Sequence, residues 1–87
     1  MTDEDILQGL ERLLAELTIE VRYEKGDFRG GLYRYGDMEQ MVINKELNIR
    51  QKINVLAKEL RVKLDLENLY IVPALREVIE NASSLGQ

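Results

Sequence analysis

The stretch Arg29-Gly30-Gly31-Leu32-Tyr33-Arg34-Tyr35 gathers, within seven residues, two guanidinium groups, two phenol rings and two adjacent glycines. Arginine grips a carboxylate through a planar fork, and tyrosine offers a broad stacking surface with a polar tip. Glycine leaves backbone bare, so this pattern fits recognition of an extended peptide at a strand edge, with Arg29, Tyr33, Arg34 and Tyr35 selecting among sequences. The same glycines also fit a structural account, as a bulge or a place where a helix crosses close to the strand. A helix start would have to follow for a phosphate-cradling glycine loop, and none does.

A second group of candidates is Lys58 and Glu59, with Tyr23 and Arg29 as companions in a pocket between sheet and central helix. A buried lysine of lowered pKa can serve as base or Schiff-base nucleophile. On a helical wheel, however, Lys58 falls opposite the main apolar stripe, which places it in solvent. The acidic residues nominate no pair for hydrolysis and no oxygen-rich cage: Asp3, Glu4 and Asp5 point apart on a helix, and Asp65 and Glu67 lack a third partner.

The chain has no histidine, cysteine or tryptophan. Thiolate and imidazole catalysis, disulfides and Cys/His zinc sites are therefore excluded within one chain. No catalytic residue is nominated, no metal or cofactor is expected, and the residues favour a binding module over an enzyme. Charge falls in blocks, with residues 1–20 at −5, 21–43 neutral, 44–63 at +4 and 64–87 at −3. The basic block could face nucleic acid, but its acidic flanks would repel phosphate. Complementarity with the acidic first helix, within one chain or between two, is the preferred reading. No apolar run approaches the roughly 20 residues of a membrane helix. The acidic start, Met1 to Asp5, is unlike an export signal, so a cytoplasmic location is expected.

The elements that must position these groups follow from periodicity. Apolar residues at 6, 7, 10, 13, 14 and 17 predict a helix over 3–17, capped by Thr2 with acids in its first turn. Gly9 inside it points to close packing against a neighbour. Alternation then predicts a strand through Ile19, Val21 and Tyr23, a second over Phe28–Tyr35 after a Lys25-Gly26-Asp27 turn, and a third over Met38–Ile43 after Gly36-Asp37. Short turns suggest an antiparallel meander. Asn48 and Gln51 form a capping pair for the central helix, whose stripe is Ile49, Ile53, Leu56, Ala57, Leu60 and Leu64. Val55 and Val62 lie off that stripe and suggest burial on a second side. Pro73 suits the first turn of a last helix bearing Leu75, Val78, Ile79 and Ala82. The fold class is α+β, a single domain over 1–87 with 83–87 a frayed tail, and helices on one sheet face. With 87 residues the core is small, so pairing into a homodimer would supplement stability.

The element order, with Met41-Val42-Ile43-Asn44-Lys45 and Ala57-Lys58-Glu59-Leu60-Arg61-Val62, resembles minimal zinc metallopeptidases of the ImmA/IrrE type, whose corresponding helix carries Ala-His-Glu-Leu-Gly-His. The resemblance spans roughly residues 1–64 and implies a zincin-like scaffold. Lys58 and Val62 stand where that family has its zinc-binding imidazoles, and Glu59 stands where it has its general base. An ammonium repels a metal ion and valine cannot ligate one, which implies a metal-less variant. The chain also resembles a small bacterial family of unknown function with a Tyr-Glu-x-Gly-x-x-x-Gly-Gly-Leu signature, here Tyr23 to Leu32, and Pro-x-x-Arg-Glu, here Pro73, Arg76 and Glu77. The second resemblance implies an α+β domain and supplies no activity. The missing metal ligands, the small core and the glycine-bearing strand flanked by arginine and tyrosine favour a protein or peptide partner, or a second copy, for a domain without catalysis.

Overall fold

Thr2 opens the first helix, α1 (Asp3–Glu16), through a capping box: its hydroxyl accepts from Asp5 N, and the Asp5 carboxylate accepts from Thr2 N. The computed structural model describes residues 1–82, so the expected tail at 83–87 lies outside the described residues. α1 stops at Leu17, and Thr18 takes a left-handed φ of 60° to turn the chain into β1 (Ile19–Glu24). β2 (Gly30–Tyr35) and β3 (Met38–Asn44) form a hairpin whose two-residue turn starts with Gly36 at φ 61°, the conformation a type II′ turn requires of its first residue. The Asn48–Gln51 capping box opens α2 (Ile49–Lys63), and Pro73 occupies the first turn of α3 (Pro73–Glu80).

The fold is α+β, but the sheet corrects the expected antiparallel meander. Its strand order is β1-β3-β2, with β3 antiparallel to β2 and parallel to β1. The reason lies in the connection Lys25–Arg29. Strands are about 4.8 Å apart, so consecutive strands separated by one vacant position need a loop reaching about 10 Å, which a two-residue turn cannot and this segment can. β3 then fills the vacancy, and the stretch Lys25–Asp37, containing β2, is the crossover that a parallel pair needs. Asn44, the last residue of β3, holds the crossing in place: its Nδ2 donates to Gly26 O at 2.9 Å, and its backbone N donates to Arg29 O at 3.0 Å. Phe28 lays its ring against the bare Cα of Gly26 inside the same loop. The second strand accordingly starts at Gly30, not at Phe28.

The register divides the sheet into two faces. Ile19, Val21 and Tyr23 of β1, Met41 and Ile43 of β3, and Leu32 of β2 turn toward the helices. There they join Leu10, Leu14, Leu56, Leu60, Leu75 and Ile79 in one core. The opposite face carries Gly31, Tyr33, Tyr35, Met38, Gln40 and Val42 and is not covered by any element of the chain among the described residues. Gly9 lies where α1 meets α3, since a Cβ there would stand 2.7 Å from Leu75 Cδ1. The expected pairing of acidic first helix and basic central helix is made within the chain, where Asp3 meets Arg50 at 3.4 Å. One expectation for α2 is only half met. Val55 is packed against the core cluster, but Val62 is 81% exposed, so the second apolar strip is left uncovered.

Candidate functional site

β2 is an edge strand, and its hydrogen-bond phase can be worked out from one contact. Because Asn44 N donates to Arg29 O, the two-residue alternation of an antiparallel ladder assigns Arg29, Gly31, Tyr33 and Tyr35 to β3. Gly30, Leu32 and Arg34 therefore direct their N–H and C=O groups away from the sheet. These are the donors and acceptors that an added strand would use. The other edge, β1, carries Glu20, Arg22 and Glu24 on its outer face, with Arg22 and Glu24 paired at 2.7 Å. Alternating charge blunts that edge. On the same face β2 has no charge, and Tyr33, Tyr35 and Met38 are 48%, 62% and 59% exposed.

The predicted binding residues thus divide by parity. Gly31, Tyr33 and Tyr35 share the open face, joined by Met38 opposite Tyr35 and Val42 opposite Gly31. Gly30 and Arg34 belong to the helix side, and Arg34 reaches Glu39 at 3.7 Å. Arg29 sits at the end of the crossing loop, its side chain exposed. The two glycines have different causes. A Cβ on Gly30 would stand 2.9 Å from Val55 Cγ1 and 3.2 Å from Val42 O, so the Val55 side chain of α2 packs directly on the bare strand there. A Cβ on Gly31 would meet only the Tyr33 ring, at 3.6 Å, an ordinary contact.

Lys58 is half-buried, which corrects its expected solvent position. α2 runs along β2: Val55 lies under Gly30, and eight residues later Lys63 Nζ reaches Glu39, the cross-strand partner of Arg34, at 3.3 Å. The flank of α2 away from the core therefore faces the β2 edge. Lys58 and Glu59 line a cleft of about 140 Å³ with Arg29, Gly30, Gly31, Met41 and Val55. That is below the roughly 300 Å³ at which small-molecule pockets begin. Beyond the Lys58 amine and the Glu59 carboxylate, the cleft is lined by no hydroxyl or thiol side chain. A larger depression of about 410 Å³ between α1 and α3, lined among others by Gly9, Arg12, Tyr70 and Leu75, brings together none of the predicted site residues.

Tyr23 does not join that cleft, because the register Tyr23–Ile43–Gly30 places it two strands away. It belongs to a separate cluster, in which its hydroxyl donates to the Glu11 carboxylate and Lys52 Nζ lies 5.3 Å from its ring centroid. Burial first, and then the Glu11 contact, raise the phenol above its ordinary pKa near 10. Because the folded-state value is raised, the stability contributed by the neutral phenol is complete below about pH 10 and is lost at more alkaline pH. Urea titrations are expected to show stability falling above about pH 10. Tyr23→Phe should remove this tyrosine's share of that fall, and an identical alkaline slope in the variant would contradict the assignment.

The zinc site that the metallopeptidase resemblance implies does not fit these residues. The positions that this resemblance would give to zinc ligands hold Lys58 and Val62, with Val62 in solvent, and no group of three potential ligating side chains converges among the described residues. No helix among them is long and apolar enough to cross a membrane. Compared with known proteins, the chain matches no family model, no curated protein and no solved structure.

Sequence reasoning missed Met38, Val42 and Asn44 as contributors to this region. Met38 had a signal in its position three residues after Tyr35, across a two-residue turn that begins with glycine. Asn44 had none without the strand order.

Proposed function

We propose that this domain is a non-catalytic, cytoplasmic interaction module on a metal-less zincin-like scaffold, acting by strand addition at the free edge of β2. The observation that carries this reading is the combination of outward Gly30, Leu32 and Arg34 backbone groups with the uncharged, tyrosine-bearing open face of β2. Main-chain bonds would supply affinity, and Tyr33, Tyr35, Arg29 and Arg34 would supply choice. The rival enzymatic reading has weaker support. The cleft at Lys58 and Glu59 is small, and Tyr23, its proposed companion, faces a different depression.

The test is selection of a random-peptide display library on the sparsely immobilised domain, counter-screened with Arg34→Pro. Proline removes an outward N–H and keeps the bonds to β3, so it blocks the edge with little effect on folding. Extended peptides are expected to be enriched on the native chain and not on the variant. Equal enrichment on both would contradict strand addition, as would a chain that enriches nothing and is also a strict monomer.

A further inference from the structure

We infer that the partner at this edge is a second copy of the same chain, docked by antiparallel pairing of β2 with β2 around a two-fold axis at Leu32. The inference rests on the interaction reading above. Three backbone residues face outward, and an antiparallel partner must match outward residues to outward residues. Setting Leu32 opposite Leu32 of the partner subunit uses all of them, with Gly30 opposite Arg34 of the partner subunit, and makes about six backbone hydrogen bonds. Moving the axis to Tyr33 would set Gly30 against the partner's Gly36, whose equivalent here has a φ of 61° that is not extended. Moving it to Arg34 would set two guanidinium groups against each other.

In the Leu32 register the odd composition of the strand becomes self-complementary. Each glycine faces a large residue: Gly30 meets the partner's Arg34 on the helix side, and Gly31 meets the partner's Tyr33 on the open face. Arg29 meets the ring of the partner's Tyr35 and has the partner's Asp37 as its diagonal neighbour, within reach of a long side chain. Neither Arg29 nor Asp37 makes an ion pair within the chain among the described residues, and Glu59, beneath Gly30, is likewise unpaired there. Arg29 and Asp37 are thus free to be matched across the axis, and Glu59 is free to meet the partner's Arg34, whose loose 3.7 Å pair with Glu39 it would share. The same operation lays the two α2 helices antiparallel beneath a joined six-stranded sheet. Their flanks bearing Glu59 and the exposed Val62 then face each other, which gives the uncovered apolar strip its neighbour.

The experiment is light scattering on the native chain, on Arg34→Pro, on Arg29→Asp and on Asp37→Arg. The native chain is expected to rise with concentration to twice the 10.1 kDa chain mass. Arg34→Pro is expected to stay monomeric with unchanged circular dichroism. Arg29→Asp and Asp37→Arg should each weaken association about tenfold by placing like charges together twice. An equal mixture of those two variants should recover the dimer, because both cross-axis pairs become attractive again. That recovery needs no assumption about how well Arg34→Pro folds, and a purely structural role for either residue would not produce it. A native chain that stays monomeric at the highest attainable concentration overturns the second copy, and the peptide selection then decides the interaction reading separately. A dimer indifferent to all these substitutions, or one weakened by the charge changes with no recovery on mixing, overturns the β2 pairing.

Discussion

Gly30→Val is expected to cost about 2 to 3 kcal/mol, while Gly31→Val, one residue along, stays within about 0.5 kcal/mol of the native chain. At Gly30 the first added carbon already meets Val55 at 2.9 Å and the Val42 carbonyl at 3.2 Å. The γ-methyls have nowhere to go without moving α2 or the central strand. At Gly31 the added carbon rests on the Tyr33 ring at contact distance, and a β-branched residue suits an extended backbone. Urea midpoints measure both effects. Gly31→Val has a second expected consequence: it fills the place of the partner's Tyr33, so association weakens while folding does not. Equal destabilisation by the two variants would show that Val55 of α2 does not pack on the strand at Gly30.

The second large effect tests the strand order. Ile43→Ala is expected to destabilise by about 2 to 5 kcal/mol and Leu32→Ala by about 1 kcal/mol. β3 lies between its two neighbours, and Ile43 is fully buried; β2 is an edge, and Leu32 is only partly covered. In a meander laid down in sequence order, β2 would be central and the ranking would reverse. Thermal and urea unfolding of the two alanine variants therefore separate the topologies without a new structure.

Local signals in the chain were sufficient for its elements. Thr2 with Asp5, and Asn48 with Gln51, mark helix starts because the side chains satisfy backbone donors no helix can satisfy itself. Period-two alternation through Ile19, Val21 and Tyr23 marks a strand half-buried on one face. The order of the strands was not legible, since it depends on whether Lys25–Arg29 turns back at once or reaches across, and composition is the same in either case. The clue was Asn44, whose side chain bonds one end of the crossing at Gly26 and whose backbone N bonds the other at Arg29, and it becomes readable only after β3 is placed. For the site, the concentration of unusual residues at 29–35 was visible, and so was the glycine pair's double meaning. What the sequence could not show is that the two meanings apply to different glycines, because that depends on which face α2 covers. Lys58 was misplaced for the same reason. A wheel centred on the main stripe knows one buried direction, whereas α2 lies along β2 and has a second.

Residue-resolved amide hydrogen exchange at two protein concentrations tests the central claim most directly. Gly31, Tyr33 and Tyr35 are bonded to β3 and are expected to be protected at both concentrations, while the amides of Gly30, Leu32 and Arg34 exchange freely in dilute solution and gain protection as concentration rises. Protection at those three positions that is already present in dilute solution and does not change, or that never develops, would contradict a free β2 edge closed by a second copy.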